Sequence, residues 1–196
     1  MVDYARLRLK DRIGPGVRVL FVGINPGVRS ALTGHHFAGH SNHFWKLLHD
    51  SGLVPERVTH EDDDRLGEWG YGITNIVARP TPGVSDLSLA ELRAGRAALD
   101  RKVTRYKPAI VALVGITVYR ALFDAGRRVT PGARITPGPT RDRLGGAAVW
   151  VLPNPSGRNA HYSYQEMVEA FRALRRAAAR IPGNASVRSR ARPARR

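Results

Sequence analysis

The sequence contains no cysteine, which excludes disulfides, thiol nucleophiles, cysteine zinc sites and cysteine-bound iron–sulfur clusters. It also has no apolar run that approaches the roughly 18 residues of a membrane-spanning helix. Residues 1–12 are polar and charged and do not have the pattern of a secretory signal. We therefore expect a cytoplasmic protein that does not enter a membrane.

Motifs of several common enzyme classes are missing as well. The chain has neither the phosphate loop G-x-x-x-x-G-K-[ST] nor G-x-G-x-x-G after its first apolar run. Ser156 lies in Asn-Pro-Ser-Gly-Arg rather than in the hydrolase motif G-x-S-x-G. Four histidines are close in sequence: His35, His36, His40 and His43. Without cysteine or H-E-x-x-H they match no known metal motif, so we predict no metal and no cofactor.

Acidic residues are scarce: 16 Asp and Glu stand against 32 Lys and Arg, a formal net charge of +16. Most of the basic residues are Arg, which can bind phosphate in a bidentate manner. Contacts between cations and a polyanion release condensed counterions, so an excess of this size favours a nucleic acid as partner. Frequent use of Arg by a GC-rich genome is the alternative explanation.

Four segments have the composition of strands. Apolar runs at 17–22, 109–115 and 147–152 are typical of buried strands, and 71–77 is either a short strand or an extended loop. They alternate with amphipathic helical segments, as in a parallel sheet that is covered on both faces. We therefore predict an α/β fold with three layers, α/β/α, and a mostly parallel central sheet.

The chain length of 196 residues favours one domain. We place it at 17–180, after a charged N-terminal lead-in at 1–16. The tail at 181–196 has no acids and no periodic apolar residues, so we predict a basic disordered segment. The segment 125–146 is rich in Gly, Pro and Arg, and we predict a mobile basic loop there.

Capping residues mark the starts of several helices. Ser88 and Ser163 each precede a glutamate by three residues, which is a capping box. An earlier helix should begin at Ser41 or Asn42 and end near Gly52, which can take the left-handed position after a helix. On the helix after Ser88, the residues predicted to face the core are Leu89, Leu92, Ala97, Leu99 and Val103.

The acidic run 61–64 follows Thr59, another candidate N-cap. Negative charge is favourable in the first turn of a helix. A metal site is the alternative, but consecutive residues on a helix do not converge on one ion. We therefore predict that this run is a solvated helix start.

Two loops carry the candidate chemistry. The segments 23–27 and 152–158 each follow a predicted strand. In an open α/β sheet the carboxyl ends of parallel strands share one edge, and ligands bind there. We therefore predict that the two segments meet and form the two halves of one pocket.

Seven short motifs occur in a characteristic order: Gly-Ile-Asn-Pro-Gly at 23–27, Gly-His-His-Phe at 34–37, Asn-His-Phe-Trp-Lys at 42–46, Gly-Ile-Thr-Asn at 72–75, Thr-Pro-Gly at 81–83, Asp-Leu-Ser at 86–88 and Leu-Pro-Asn-Pro-Ser-Gly at 152–157. Together they resemble the mismatch-specific uracil/thymine DNA glycosylase family, within the uracil-DNA glycosylase superfamily, over about residues 17–175. The Gly-His-His-Phe motif is more similar to the thymine branch, and Asn-Pro-Ser-Gly to the bacterial mismatch uracil branch.

The resemblance implies a monofunctional DNA glycosylase that flips out and excises uracil, and also thymine, mispaired with guanine. Hydrolysis of the N-glycosidic bond would leave an abasic site for base excision repair, to be processed by an abasic-site endonuclease. The implied partner is double-stranded DNA with G/U or G/T mispairs, and the implied protein is a nucleoid-associated monomer. Neither key loop contains a lysine, so we expect water as the nucleophile and no lyase activity.

The resemblance also implies roles for individual residues. Asn25 would be catalytic and hold the attacking water, because its amide does not titrate usefully and cannot act as a strong general base. Phe37 would stack on the flipped base and Asn75 would bind its edge. The other residues implied at the base are His36, Ser30 and Asn154. Thr81 would position the water, and the wedge and backbone contacts would come from Ser156, Gly157, Arg158 and Asn159.

Simpler roles are open for several of these residues. Asn25 is also suited to a left-handed turn before proline, and Phe37 to the core. Asn75 and Thr81 are also suited to turns, and Arg158 to a surface contact with phosphate.

Three other functions are consistent with the sequence. One is a broader uracil/hypoxanthine DNA glycosylase that is indifferent to the opposite base. The others are a noncatalytic mismatch-binding module and an Arg-rich nucleotide-binding α/β protein, although no phosphate loop supports the last.

Overall fold

One five-stranded sheet forms the centre of the computed structural model, which describes residues 4–123 and 135–181. The strands are β1 (Val19–Gly23), β2 (Tyr71–Asn75), β3 (Ile110–Val114), β4 (Gly138–Leu144) and β5 (Ala147–Leu152). Their order in the sheet is β2-β1-β3-β5-β4. Four of them are parallel, and β4 pairs with β5 in the antiparallel direction.

Helices cover both faces of this sheet. They are α1 (Val28–Thr33), α2 (Phe44–Asp50), α3 (Leu89–Tyr106), α4 (Ile116–Phe123) and α5 (Tyr164–Ala179), with short 3-10 helices at Tyr4–Arg6, His60–Trp69 and Val84–Asp86. One apolar core joins the sheet to α2 and α5, and a second joins its other face to α3 and α4. The predicted three-layer α/β/α fold with a mostly parallel sheet is therefore confirmed.

The predicted helix caps are also present. Thr59, Ser88 and Ser163 each form a capping box with the residue three positions later. Helix α2 begins at Phe44, later than predicted, and the Asn42 side chain accepts a hydrogen bond from the Phe44 amide at 2.9 Å. Gly52 follows α2 with φ of 74°, the left-handed conformation expected there.

Two predicted core positions on α3 are wrong. Leu89 is 70% exposed and Ala97 is exposed, whereas Leu99 and Val103 are buried. Leu89 occupies the first turn of α3, at the start of the helix, and Ala97 projects from the side away from the stripe that contains Leu99 and Val103. Gly95 takes part in the buried stripe instead.

The prediction of one loop across 125–146 is wrong for its second half. Residues 138–144 form β4, which pairs with β5 through a turn in which Gly145 and Gly146 both have positive φ. The polar residues of β4 misled the prediction, because a strand at the edge of a sheet can expose such side chains to water. Residues 124–134 and the predicted basic tail from 182 onward lie outside the described residues.

The charged lead-in packs on the domain. Leu9 is buried, and Arg12 pairs with Ile73 of β2 through two backbone hydrogen bonds of 2.9 and 2.8 Å.

The prediction that the acidic run 61–64 is a solvated helix start is wrong at Asp63, which is completely buried. Its neighbour Asp62 caps the helix.

Among the described residues no helix is long and apolar enough to cross a membrane.

Gly95 allows α3 to pack closely on the segment after β2. A Cβ atom there would lie 2.4 Å from the Ile76 carbonyl oxygen. Ala normally stabilises a helix relative to Gly, but we expect Gly95→Ala to lower the free energy of unfolding by about 1–3 kcal/mol, the usual cost of overpacking.

Urea denaturation measures this change. Gly67→Ala is the control, because a Cβ at Gly67 would meet nothing within 4 Å. A Gly95→Ala protein as stable as the wild type would contradict the packing described for α3.

Candidate active site

A cavity of about 410 Å³ opens at the carboxyl edge of the parallel strands. Asn25 lies on one side of it, in the loop after β1, and Asn154 on the other, in the loop after β5. Phe37 and Asn75 line the same cavity. The two loops predicted to form one pocket therefore meet as expected, at the edge where open α/β sheets bind their ligands.

Backbone hydrogen bonds join the loop after β5 to the segment 41–43, which also contributes to the cavity wall. Asn42 and Ser156 form an antiparallel bridge, and the Gly157 amide donates to the Ser41 carbonyl at 2.7 Å. A Cβ at Gly157 would lie 2.6 Å from that carbonyl oxygen. The glycine is therefore required for the close approach of the two loops, which closes the cavity on one side.

The orientation of the Asn25 amide is determined by its neighbours. Its Nδ2 donates to Thr81 Oγ1 at 2.7 Å and lies 3.2 and 3.3 Å from the carbonyl oxygens of Pro26 and Arg79. The Thr81 hydroxyl in turn donates to the Gly83 carbonyl, so its oxygen acts as an acceptor for Asn25. Oδ1 of Asn25 has no partner among the described residues, which leaves this oxygen free to accept a hydrogen bond.

Phe37 combines an unusual backbone with a packed ring. Its φ is 52°, one of two positive values for non-glycine residues in the described chain, and such a conformation costs energy unless the surroundings hold it. The ring stacks on Phe44 with centroids 4.2 Å apart. Its Cζ would lie 3.5 Å from a Cβ at Gly23. Phe37 is thus both packed on the core and part of the cavity wall.

Asn75 and His36 lie side by side beneath Phe37. His36 is 1% exposed, and its Nε2 lies 2.9 Å from the Lys10 carbonyl oxygen while Nδ1 lies 3.4 Å from Asn75 Nδ2. Burial lowers the pKa of His36, more than its bond to Lys10 and the nearby carboxylates raise it. A neutral ring that donates from Nε2 and accepts at Nδ1 satisfies both neighbours.

A buried carboxylate holds the turn that contains His36. Asp63 Oδ2 accepts from the His36 backbone amide at 3.0 Å, and Oδ1 lies 2.8 Å from Arg12 Nε and 3.2 Å from His35 Nδ1. The Trp45 indole donates to the His36 carbonyl at 3.0 Å. Both main-chain polar groups of His36 are therefore bonded, which fixes the turn that leads into Phe37.

Ser30 supports the same turn from α1. It is buried, and its hydroxyl oxygen accepts from the Ala38 amide at 3.0 Å. Its carbonyl accepts from the amides of Gly34 and His35 at 3.0 and 3.2 Å. Ser30 lines the cavity, and its polar groups bind the two ends of the turn that carries Phe37.

The loop after β5 is held by its own side chains. Asn154 Oδ1 accepts from the Ser156 amide at 3.1 Å, and Asn159 Nδ2 donates to the Asn154 carbonyl at 2.8 Å. The Ser156 hydroxyl accepts from the Arg158 amide at 3.3 Å. The guanidinium of Arg158 is exposed and bonds to none of the described residues, although the side chain lies at the rim of the cavity.

Sequence reasoning missed two residues that shape this site. A Cβ at Gly23 would lie 2.4 Å from Asn75 Oδ1, so the last residue of β1 must be glycine to make room for the amide. Asp63 was predicted to be solvated because the acidic run 61–64 has the character of a helix start. No local pattern distinguishes it from Asp62 or Asp64, since its partners come from distant parts of the chain. Within the described ranges, no three His, Asp or Glu side chains are grouped as metal ligands.

Comparison with known families identifies the superfamily of the chain. A model of the uracil DNA glycosylase superfamily matches residues 11–175. The chain belongs to the uracil DNA glycosylase superfamily. The protein is therefore a DNA glycosylase that acts on uracil, and its partner is DNA. The match begins inside the lead-in that packs against β2.

The lowered pKa of His36 makes stability depend on pH. A buried neutral histidine contributes stability that is complete above the unfolded-state pKa, 6.5. This contribution is lost as the pH falls through the lower folded-state pKa, because the unfolded chain then binds more protons. As the pH falls below 6.5 we expect the wild type to lose stability with a slope of up to about 1.4 kcal/mol per pH unit from this group, until His36 is protonated in the folded protein as well.

Urea denaturation at a series of pH values tests this expectation. His36→Gln should be less stable at pH 7.5 but should lose less stability on acidification than the wild type. His161→Gln, at an exposed position, should reproduce the wild-type profile. Parallel profiles for the wild type and His36→Gln would show that His36 is not the group that titrates.

Proposed function

We propose that this glycosylase excises uracil and thymine mispaired with guanine, and that it hydrolyses the N-glycosidic bond with a water held by Asn25. The observation that carries the proposal is the fixed Asn25 amide, whose Nδ2 is bonded to Thr81 while Oδ1 is free at the cavity. The motif Gly-His-His-Phe at 34–37, which resembles the thymine branch, supports thymine as a second substrate.

The proposed chemical step uses positioning rather than a strong base. Asn25 Oδ1 accepts a hydrogen bond from water and directs its oxygen to C1′ of the deoxyribose. The C1′–N1 bond breaks as the C1′–O bond forms, the bonding electrons leave with the pyrimidine, and the water proton passes to solvent or to the departing base. Because an amide does not accept a proton near neutral pH, the reaction should be slow and should depend on the leaving ability of the base.

Recognition of the everted base is assigned to Phe37 and Asn75. One face of the Phe37 ring is covered by Phe44, so the other face is available to stack on a pyrimidine. Asn75 has a donor and an acceptor on one amide, which matches the O4 and N3–H of uracil or thymine. Ser30 and His36 support this arrangement from below, and Asn154 closes it from the opposite loop.

We assign contacts with the rest of the DNA to residues at the rim of the cavity. The Arg158 guanidinium is exposed at the loop 156–159, where it can fill the gap left by the everted nucleotide and hydrogen-bond to the opposite guanine. Ser156 and the nearby backbone amides are suited to a phosphate beside the lesion. The cavity-lining residues in the described part of the chain include no lysine, which supports a water nucleophile over an amine.

Release of free base from a panel of labelled DNAs tests the proposed function. The panel contains uracil or thymine opposite guanine, uracil opposite adenine, single-stranded uracil and hypoxanthine opposite thymine. We expect the two guanine mispairs to react fastest. Equal rates on all uracil substrates and on hypoxanthine would instead indicate the broader glycosylase.

Asn25→Ala separates catalysis from binding. We expect it to lower single-turnover release of uracil by roughly a hundredfold or more, the usual effect of removing a group that stabilises the transition state. Fluorescence anisotropy should show nearly unchanged affinity for the mispaired duplex. A wild type that binds the mispair but never releases base would identify a noncatalytic binding module.

Thr81 is expected to act through Asn25. Thr81→Val keeps the shape of the side chain but removes the acceptor for Nδ2, so Asn25 can rotate away from its working orientation. We expect a loss of roughly tenfold in the single-turnover rate, equivalent to about 1.4 kcal/mol, with unchanged DNA affinity. Thr81→Ser keeps the hydroxyl and should retain most of the activity. Equal losses in Thr81→Val and Thr81→Ser would contradict this role.

A further inference from the structure

We propose that Asp63 and His36 together determine which end of the Asn75 amide faces which atom of the base, and so act as positioning residues for base selection. The inference rests on the proposed role of Asn75 at the pyrimidine edge. It goes beyond that role because it gives the reason why the Asn75 amide has one orientation. Part of this reason is Asp63, which lies outside the cavity.

The first step is the tautomer of His36. Its Nε2 lies 2.9 Å from the Lys10 carbonyl oxygen, and a carbonyl oxygen can only accept. Nε2 must therefore carry the proton, and in the neutral ring Nδ1 has a lone pair. A lone pair at Nδ1 can only accept, so the backbone of Lys10 determines the hydrogen-bonding character of the ring nitrogen that faces Asn75.

The second step is the orientation of Asn75. Nδ1 of His36 accepts from Asn75 Nδ2 at 3.4 Å. The opposite orientation would place Oδ1 against this lone pair, where two acceptors repel. Asn75 is only 7% exposed, so little water can reach the amide to offset this repulsion. The amide therefore keeps Nδ2 toward His36 and Oδ1 beside Gly23.

A fixed amide distinguishes two classes of pyrimidine. Uracil and thymine present an acceptor at O4 and a donor at N3–H, which match the second N–H and Oδ1 of Asn75. Cytosine presents a donor at N4 and an acceptor at N3, the reverse order. An unmatched polar group in a closed site costs about 1–3 kcal/mol, so an amide that cannot rotate disfavours cytosine.

The third step is the anchor at Asp63. Its carboxylate is fully buried and binds the His36 backbone amide as well as Arg12 and His35. All three partners donate to it, and both carboxylate oxygens are used. In Asp63→Asn one oxygen is replaced by an NH₂ group that faces a donor. The turn then loses the contact that holds the His36 ring between Lys10 and Asn75.

Nuclear magnetic resonance tests the tautomer independently of catalysis. In the ¹⁵N-labelled full chain at pH 7.5, long-range ¹H–¹⁵N correlations of the imidazole ring should show His36 protonated at Nε2 and bare at Nδ1. His36→Gln identifies the signal by its loss. A ring protonated at Nδ1, or at both nitrogens, would overturn the proposal even if the enzyme releases uracil as expected.

A double-mutant cycle tests the connection from Asp63 to Asn75. Asp63→Asn should lower single-turnover uracil release by roughly tenfold, equivalent to about 1.4 kcal/mol. The matched control is Asp64→Asn, the same chemical change at an exposed neighbour, which should stay within about twofold of the wild type by the usual behaviour of surface sites. In an Asn75→Ala background the effect of Asp63→Asn should fall to roughly twofold, because the amide it positions is gone.

Failure of this inference can be distinguished from failure of the proposed function. A full tenfold effect of Asp63→Asn in the Asn75→Ala background would show a general structural role and overturn the proposal. If Asp63→Asn does not fold, Arg12→Gln, which removes one donor to the same carboxylate, replaces it in the cycle with the same expected coupling. A wild type that releases no uracil would disprove the proposed function, whereas the tautomer experiment would still decide the inference.

Discussion

The pairing of two loops at one edge of the sheet is the constraint on which the site depends. The Gly157 amide bonds to the Ser41 carbonyl, and Asn42 bridges to Ser156. These contacts bring the end of β5 against the segment that follows Phe37, although the two are far apart in sequence. The parallel order of β1, β3 and β5 places Asn25 and Asn154 at the same edge, and these contacts close one side of the cavity that both residues line.

Within that space the protein uses oriented neutral groups rather than charges. Asn25 and Asn75 each have their amide nitrogen bound by the protein, to Thr81 and to His36, which determines what the amide oxygen offers to a ligand, and His36 is held in turn by the Lys10 carbonyl. Such groups are expensive to bury unless they are paired, and here the pairing also sets their direction. Charged groups surround these amides: Asp63 is buried behind the turn that contains His36, and Arg29 and Arg158 are among the residues that line the cavity. This arrangement is consistent with a hydrolase in which geometry is more important than proton transfer.

Much of the fold was predictable because its signals are local. Apolar runs located the strands, and capping boxes at Ser88 and Ser163 located two helix starts. The prediction failed where neighbours in space override local composition. The polar strand β4 is stable because β5 supplies its hydrogen bonds. Leu89 is apolar yet remains exposed because no other part of the described chain covers the first turn of α3.

The sequence by itself determined the superfamily, four of the five described strands and the loops that carry Asn25 and Asn154, because these depend on short motifs and on periodicity. Only the tertiary structure decided which way each side chain is oriented. The Asn25 amide is turned by Thr81, and the turn before Phe37 is held by the buried Asp63, through contacts that span 56 and 27 residues of chain. The direction of a hydrogen bond depends on which residues lie nearby in the folded protein, so it cannot be predicted from a sequence motif.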